Sequence, residues 1–364
     1  MKSYRIPLVP GPASVPERVR RVYLEDYGSG DMEPEFAELY LATEARLQTI
    51  AGTTNRVVIM TGEGMLALWG ALNSVIRPGD PVVAVATGLF GYGIGDMASG
   101  LGAEVTTVGF EYDETIHDWE RVRRVLREVR PTLVTAVHCE TPSGTLNPVK
   151  ELGRVIREEL GDETLFYVDA VASLAGCPVE VDASGIDLAL FGTQKALSAP
   201  PELAMVSVSE RAWERVAHVG YQGYDALQPW RDVGDPGSFP YTPAWASVAA
   251  LNEACAMVLE EGLENVYARH ARVTAQTRQG LDEQGIRLYP SPSAVAAPTV
   301  TAALVPAGWT WEAFDGALRE RGLVVGGSWG KLYGKVFRIG HMGTQADEGL
   351  VAEALEVIQK VLAS

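Results

Sequence analysis

A lysine and an aspartate each follow a short apolar run near the middle of the chain, and together they could perform carbonyl chemistry. Asp169 ends the run at 165–168, and Lys195 follows the run at 188–191 after a Gly-Thr-Gln turn. Burying an ammonium is costly, so such a lysine has a lowered pKa and suits a Schiff-base nucleophile. A nearby carboxylate can keep a pyridine nitrogen protonated, which makes the ring an electron sink. The pair therefore predicts a pyridoxal site.

Each of these residues also has an ordinary structural interpretation. Lys195 alone could be a surface lysine after a strand, and Asp169 could be a turn residue. Only their occurrence together supports the functional interpretation. The five histidines show no metal-ligand spacing, so we predict no metal site. Ser143 has no histidine at a hydrolase spacing.

The elements that must position these residues alternate from about residue 50 to 215. Apolar runs at 56–60, 82–86, 133–137, 165–168 and 188–191, with another near Val105, predict strands, and longer helical patterns separate them. This alternation predicts an α/β fold with a mostly parallel sheet covered by helices on both faces. In such sheets ligands bind at the carboxyl ends of the strands, where Asp169 and Lys195 lie.

The last third of the chain predicts a second, smaller domain. Residues 221–243 indicate a long irregular connection, and a helix with one apolar face follows it. Strands are predicted at 299–305 and 336–339, with a closing helix at about 346–362. We predict an N-terminal segment at 1–20, a large pyridoxal-binding domain at 21–245 and a small C-terminal domain at 246–364.

Composition limits the partners of the protein. The 364 residues include 30 Lys plus Arg against 47 Asp plus Glu, a formal net charge of -17, which disfavours nucleic acid and anionic membranes. The three cysteines are far apart and odd in number, so no disulfide framework is expected. The N-terminal residues resemble neither a signal peptide nor a membrane anchor, and no run is long enough to span a bilayer. We expect a cytoplasmic protein.

Several strings resemble one family, the class V aminotransferases of pyridoxal-phosphate fold type I, which includes alanine-glyoxylate aminotransferases. They are Pro10-Gly11-Pro12, Asp169-Ala170-Val171, the run Gly-Thr-Gln-Lys-Ala-Leu-Ser-Ala-Pro-Pro at 192–201, and Arg338-Ile339-Gly340. The resemblance covers nearly the whole chain in the right order. It implies a large domain with a seven-stranded, mostly parallel sheet, a smaller C-terminal α+β domain, and a homodimer or a tetramer of dimers.

The resemblance also implies roles for single residues. Lys195 carries pyridoxal or pyridoxal 5'-phosphate covalently, Asp169 holds the ring nitrogen, Phe90 stacks on the ring, and Arg338 binds the substrate carboxylate. Ser143 lies near the phenolic oxygen. The other residues implied around the cofactor are Glu63, Gly64, Met65, Val171, Gln194, Tyr241 and Thr242, with Tyr27 and Trp329 beside the substrate and Tyr241 contributed by the partner subunit.

Within the class, four strings are similar to those of pyridoxamine-pyruvate transaminases, which use the vitamin without its phosphate as a substrate. The strings lie at 141–145, 209–213, 239–243 and 338–343. Small-molecule substrates, an amino donor and a 2-oxo acid, are the partners that this resemblance implies.

The residues at the phosphate end of the site differ from those of phosphate-dependent relatives. Glu63 stands where those relatives have a serine, Met65 where they have a histidine, and Phe239 where they have a tyrosine. A carboxylate repels a phosphate dianion, whereas a hydroxymethyl group could donate a hydrogen bond to it. Glu63 therefore predicts a preference for pyridoxal or pyridoxamine. The alternative is that Glu63 only favours the start of its helix through the helix dipole.

Two departures leave the substrate open. Trp329 stands where the family has a second carboxylate-binding arginine, so a larger or more apolar oxo acid, or an aldehyde, could pack on the indole. Gln194 is the residue that the phosphate-dependent relatives have at this position.

The leading hypothesis is a transaminase acting on pyridoxamine and a small 2-oxo acid such as pyruvate. The alternatives are a conventional phosphate-dependent class V aminotransferase, with Thr242 and Gln194 completing a modified phosphate site, and a non-catalytic pyridoxal-binding protein. A desulfurase-like lyase is disfavoured because no cysteine lies near Trp329.

Overall fold

The apolar runs of the sequence form β-strands, and the longer periodic runs between them form helices. The computed structural model describes residues 3–363. In that part of the chain the strands are β1 (Ile6–Pro7), β2 (Arg56–Thr61), β3 (Pro81–Ala86), β4 (Glu104–Gly109), β5 (Leu133–Val137), β6 (Cys139–Glu140), β7 (Thr145–Leu146), β8 (Leu165–Asp169), β9 (Leu188–Gly192), β10 (Leu203–Val208), β11 (Val300–Leu304), β12 (Leu323–Val324), β13 (Gly326–Gly327) and β14 (Val336–Gly340).

The helices cover both faces of the sheet and build most of the second part of the chain. They are α1 (Glu17–Arg21), α2 (Pro34–Ala51), α3 (Gly64–Val75), α4 (Leu89–Gly100), α5 (Trp119–Val129), α6 (Val149–Leu160), α7 (Glu210–Val219), α8 (Trp245–Glu261), α9 (Leu263–Glu283), α10 (Trp311–Glu320) and α11 (Glu348–Leu362). Helix α2 ends at Gly52, whose φ of 66° suits a glycine C-cap. The connection predicted at 221–243 is irregular except for a short 3-10 helix, Gln228–Trp230.

The large sheet has seven strands in the order β2-β10-β9-β8-β5-β3-β4, which confirms the predicted fold. Its pairings are parallel except for those of β10, which runs antiparallel to both β2 and β9. The sequence pattern did not predict β10. Only residues 193–202 join β9 to β10, without a helix, and a parallel crossover needs a longer connection, so β10 turns back.

The register of the parallel strands brings their carboxyl ends together. Val137, the last residue of β5, pairs with Asp169 at the end of β8, and Asp169 pairs with Leu190 of β9. The connections after β2, β3, β5 and β9 begin at the same edge. This edge is where the crossover geometry of an α/β sheet leaves room for a ligand.

A second apolar core lies around the antiparallel sheet β11-β14-β13. Strand β1 pairs in parallel with β12, so the N-terminal segment packs with the C-terminal part of the chain. The buried residues of this core include Ile6, Leu8, Phe314, Phe337 and Ile358. The buried face of α8, with Val248 and Leu251, belongs to the larger core instead. The domain boundaries near 20 and 245 stay predictions.

Candidate active site

A cavity of about 260 Å³ opens at the carboxyl edge of the large sheet. Residues from the ends of β2, β3, β5, β8 and β9 form its wall, and one residue comes from the C-terminal part of the chain. The residues that line it are Glu63, Gly64, Met65, Leu68, Phe90, Cys139, Thr141, Asp169, Val171, Ala172, Gln194, Lys195 and Trp329. Nine of the residues predicted from the sequence thus meet in one cavity.

Lys195 reaches the cavity from the turn after β9. Its Nζ donates a hydrogen bond of 2.9 Å to the carbonyl of Pro10. Burial lowers the pKa of Lys195, and the positive charge of Arg338 lowers it further. Gly11, which follows Pro10, has φ 92°, and a Cβ there would lie 2.6 Å from Nζ. The N-terminal segment therefore passes so close to the amine that a Cβ at residue 11 would displace the end of the lysine side chain.

Asp169 presents a buried carboxyl group at the end of β8. Its Oδ1 accepts a hydrogen bond of 2.9 Å from the Val171 amide. Burial raises the pKa of Asp169 to about 6, although the Val171 amide and Lys195 oppose the shift. Above that pH the group is a carboxylate in an apolar setting, and a protonated ring nitrogen is a suitable partner for it.

Glu63 and Gln194 are joined at one end of the cavity. Glu63 is the N-cap of α3, and its Oε1 accepts from the Met65 amide over 3.1 Å. Its Oε2 accepts from Nε2 of Gln194 over 3.0 Å, which leaves the buried Oε1 of Gln194 without a partner. Glu63 therefore caps its helix, as the structural alternative predicted, and also lines the cavity.

Phe90 lies in the first turn of α4, where a buried carboxyl group anchors the backbone. Oε1 of Glu140 accepts from the Gly91 amide over 2.7 Å, and Oε2 accepts from the Phe90 amide over 3.2 Å. Burial raises the pKa of Glu140 to about 7. A Cβ at Gly88 would lie 2.5 Å from the Glu140 carboxyl carbon. Sequence reasoning missed Glu140; its signal was an acidic residue three positions after the end of a buried strand.

Ser143 does not line the cavity, contrary to expectation. Its hydroxyl lies 3.0 Å from Oγ1 of Thr145 and 3.4 Å from the carbonyl of Glu140, inside the turn between β6 and β7. Cys139 of β6 and Thr141, the first residue of the turn, line the cavity instead. Burial raises the pKa of the Cys139 thiol to about 12, so it stays protonated. Thr141 is thus the hydroxyl that this segment offers to a ligand.

Arg338 is buried in β14 beneath the indole of Trp329. Its Cζ lies 4.5 Å from the centre of the Trp329 ring. The guanidinium donates to the carbonyl of Gly327, over 2.8 Å from Nε, whereas the buried Nη1 has no partner. Burial lowers the pKa of Arg338 to about 10. Trp329 lines the cavity and Arg338 does not, so the indole separates the guanidinium from the open space.

The remaining predicted residues, Tyr27, Tyr241 and Thr242, lie outside the cavity of the same chain. Tyr241 is expected from the partner subunit, so its place at the site stays a prediction. The ring of Tyr27 stacks on Trp245 with centres 5.3 Å apart. Tyr241 packs on Tyr224 at 4.5 Å, and Thr242 follows it on an exposed segment. Aromatic pairing within the chain holds both tyrosine rings. Phe239 is buried against Phe36 and Tyr40.

Metal-binding and membrane-spanning features are absent from the described residues, 3–363. They contain no cluster of His, Cys, Asp or Glu arranged to hold a metal ion. None of their helices combines the length and apolar character needed to cross a membrane.

Comparisons with known proteins agree with the geometry. The family model Aminotransferase class-V matches residues 10–332. An aminotransferase of Methanocaldococcus jannaschii is 35% identical, covering 95% of this chain and 89% of its own, and the pyridoxamine-pyruvate transaminase of Mesorhizobium japonicum is 32% identical, covering 97% and 90%. The crystal structure of the ureidoglycine-glyoxylate aminotransferase from Bacillus subtilis superposes with a TM-score of 0.93 at 33% identity, covering 100% and 94%. These relatives carry names with different substrates, so they indicate the type of reaction and not the substrate.

Proposed function

The chain belongs to the class V aminotransferases, and from that premise we propose the reaction that it catalyses. It moves an amino group between pyridoxamine, or an amino acid, and a small 2-oxo acid such as pyruvate. Lys195 is the residue that holds the vitamin covalently, and the vitamin carries no phosphate.

The residues of the cavity fit a pyridoxal ring. Lys195 offers a desolvated amine, Asp169 a buried carboxylate, and Phe90 and Val171 apolar surface, in a space of about 260 Å³. When bound there, pyridoxal supplies a carbonyl that condenses with amines and a ring that accepts electrons. The observation in favour of this fit is that Lys195 and Asp169, two groups of opposite charge that are costly to bury, have few hydrogen-bond partners within the protein.

Each protein group then has a defined task. The lowered pKa of Lys195 lets its amine take up and return the proton that moves during amino transfer. Asp169, ionised above about pH 6, keeps a proton on the ring nitrogen. The free Nη1 of Arg338 receives the substrate carboxylate.

The Glu63-Gln194 hydrogen bond is the single observation that supports the unphosphorylated vitamin. Gln194 donates one N–H of its amide to Glu63, because the reversed amide would place a carbonyl against a carboxylate. The Met65 amide is bonded to Glu63 as well. This end of the cavity therefore offers the Glu63 carboxylate as an acceptor, whereas the Gln194 carbonyl is buried. A hydroxymethyl group donates to an acceptor, whereas a phosphate dianion needs donors.

Charge repulsion acts in the same direction. Two like charges 4 Å apart near a protein surface repel by at most about 4 kcal/mol, and solvent lowers this value at the exposed Glu63. Among residues 3–363 Glu63 bonds to Met65 and Gln194 rather than to a cation, although its charge reaches Lys195 across the cavity and opposes the lowering of the pKa of that amine by burial. A phosphate near Glu63 would thus be bound much more weakly than the alcohol.

The phosphate-dependent alternative rests on the start of α3. The amide of Gly64 lies at this helix N-terminus, which is a favourable place for an anion. In that case Gln194 must leave Glu63, and Thr242 of the partner subunit completes the phosphate site. We favour the unphosphorylated vitamin because the helix start is already capped by a carboxylate.

The proposal includes a homodimer or a tetramer of dimers. Met65 and Trp69 are each 38% exposed on α3, and Tyr224 is 58% exposed. Met65 and Trp69 lie one turn apart on α3, and Tyr224 precedes Asp225, whose carbonyl lies beside Gly70 of the same helix. An apolar patch at the mouth of the cavity is suited to a second copy of the chain, which would bring Tyr241 to the site. The three buried, unbonded cysteines support a reducing compartment such as the cytoplasm.

Turnover with defined vitamers tests this proposal. The purified protein is mixed with pyridoxamine and pyruvate, and the formation of pyridoxal and alanine is followed. We expect both products in equal amounts. If only the 5'-phosphates support amino transfer, the phosphate-dependent alternative is correct.

A Lys195→Ala variant separates an enzyme from a pyridoxal-binding protein. The variant should lose turnover and the visible or near-ultraviolet absorbance that the wild type gains with pyridoxal. A variant that keeps full turnover would remove Lys195 from the mechanism.

A further inference from the structure

We propose that the 2-oxo acid has a single carboxylate and an apolar side chain, and that Trp329 is the residue that selects it. This inference rests on the proposed amino transfer and names the substrate class for the same site. Three features of the described residues support it: the position of the indole, the number of available cations and the apolar wall.

The indole of Trp329 controls access to Arg338. The guanidinium lies 4.5 Å below the ring, and its unpartnered Nη1 is shielded from solvent. Nε and Nη2 are held by the Gly327 carbonyl, which fixes the plane of the guanidinium. A carboxylate that reaches Nη1 from the cavity must therefore pass along the edge of the indole. The atoms next to that carboxylate then lie against Trp329.

The cavity has one cation for the carboxylate and none for a second one. Among residues 3–363, Lys195 is the cation in the cavity wall and Arg338 lies behind Trp329, and Lys195 is the reacting amine. Lys331, two residues after Trp329, lies 3.7 Å from the centre of the Tyr112 ring and 3.4 Å from Glu111. A second carboxylate would be desolvated without a partner, in a cavity that already holds Glu63 and Asp169.

The surface beside Arg338 is apolar and still partly exposed. Trp329 is 50% exposed, and its ring meets Phe90 edge to face with centres 6.3 Å apart. An apolar side chain that covers this surface is removed from water together with the indole. Each buried methylene strengthens binding about fourfold, so a branched side chain should bind better than the methyl group of pyruvate.

Binding of unreactive carboxylates tests the inference without the reaction. Calorimetry with the purified protein compares 4-methylpentanoate, which has one carboxylate, with glutarate, which has two. We expect 4-methylpentanoate to bind at least tenfold more tightly. Glutarate binding equally well or better, or no binding of 4-methylpentanoate, would overturn the inference.

Two variants assign the selection to Trp329. Trp329→Arg supplies the missing cation and should reverse the preference in favour of glutarate. Tyr333→Ala is the matched control, because Tyr333 is a 64% exposed aromatic residue on the same loop whose hydroxyl meets only Glu312. The control should keep the preference of the wild type. If Trp329→Arg keeps it too, Trp329 does not select the substrate.

Turnover separates this inference from the proposed function. Rates are compared for 4-methyl-2-oxopentanoate, pyruvate and 2-oxoglutarate, with pyridoxamine and, in parallel, with its 5'-phosphate as donor. At low concentrations of the oxo acid we expect the rate of amino transfer to fall in that order. The rate with 4-methyl-2-oxopentanoate should be at least tenfold higher than the rate with 2-oxoglutarate. If only the 5'-phosphate is active but the order holds, the proposed vitamer is wrong and the substrate class stands. If pyridoxamine is active and 2-oxoglutarate is preferred, the proposed vitamer stands and the substrate class is wrong.

Discussion

The side-chain amide of Gln194 donates a hydrogen bond of 3.0 Å to the carboxylate of Glu63 at one end of the cavity. The two residues come from the ends of β2 and β9, strands that are separated in the sheet by β10. Their contact uses one N–H donor of Gln194 and leaves its carbonyl oxygen buried and unpaired. A carboxylate at this end of the cavity favours a ligand group that donates, which is the basis of the first prediction.

Removing the charge of Glu63 should let the protein accept a phosphate. Glu63→Gln keeps the size of the side chain and an oxygen that can cap α3. We expect pyridoxal 5'-phosphate to bind at least tenfold more tightly to the variant than to the wild type, because about 1.4 kcal/mol of the repulsion corresponds to each factor of ten. Equilibrium dialysis measures the change. Asp347→Asn, which neutralises the N-cap of α11 far from the cavity, should leave this affinity unchanged.

A methyl group at Gly11 should displace the reactive lysine. The Cβ of Gly11→Ala would lie 2.6 Å from Nζ of Lys195, at a φ of 92°. Gly79→Ala is the matched control, because Gly79 has φ 86° and a Cβ there would meet nothing within 4 Å. Both variants should lose about 1 kcal/mol of unfolding free energy from backbone strain, measured with urea. Only Gly11→Ala should also lose pyridoxal absorbance; equal absorbance in both variants would refute the contact.

His341 should make the protein less stable in acid. Its imidazole is buried between Thr301, at 2.8 Å, and Thr274, at 3.3 Å, and burial lowers its pKa to about 3. Between about pH 3 and pH 6.5 the unfolded chain therefore binds a proton at His341 that the folded chain does not bind. The contribution of His341 to the free energy of unfolding is complete above about pH 6.5 and is lost as the pH falls toward 3. The raised pKa values of Asp169 and Glu140 act in the opposite direction, so a variant must isolate the histidine.

A comparison of the wild type with His341→Gln separates the effect of the histidine from the effects of the two carboxyl groups. The advantage of the wild type in unfolding free energy should shrink by about 1.4 kcal/mol for each pH unit below about 6.5. Urea unfolding at several pH values measures it. An advantage that is the same at pH 8 and at pH 5 would contradict the prediction.

Glu140 should stabilise the start of α4 and with it the position of Phe90. Glu140→Gln replaces one of the two accepting oxygens with an NH2 group, so the Phe90 and Gly91 amides no longer each meet an oxygen. Leaving one buried donor unpaired costs about 1–3 kcal/mol. The exposed N-cap variant Asp118→Asn should cost less than about 1 kcal/mol. Equal losses in urea unfolding would show that Glu140 is not an anchor.

The sequence allowed the sheet and most of the cavity to be predicted, because both depend on local patterns. Apolar runs give the strands, and parallel strands must end at a common edge, so Lys195 and Asp169 had to meet there. Strand β10 was missed because its direction depends on the length of a connection and not on its own residues. The sequence did not predict that Thr141 lines the cavity while Ser143 lies inside the turn that ends at Gly144, a residue with φ 71°. Glu140 and the Trp329-Arg338 contact arise from packing between distant segments, which no local pattern encodes.

The dissociation constants of pyridoxal and pyridoxal 5'-phosphate, measured side by side on the purified, cofactor-free protein, test the central claim most directly. An end of the cavity formed by Glu63 and Gln194 should hold pyridoxal at least tenfold more tightly than its phosphate. Tighter binding of the phosphate would contradict the account and assign the protein to the phosphate-dependent members of its family.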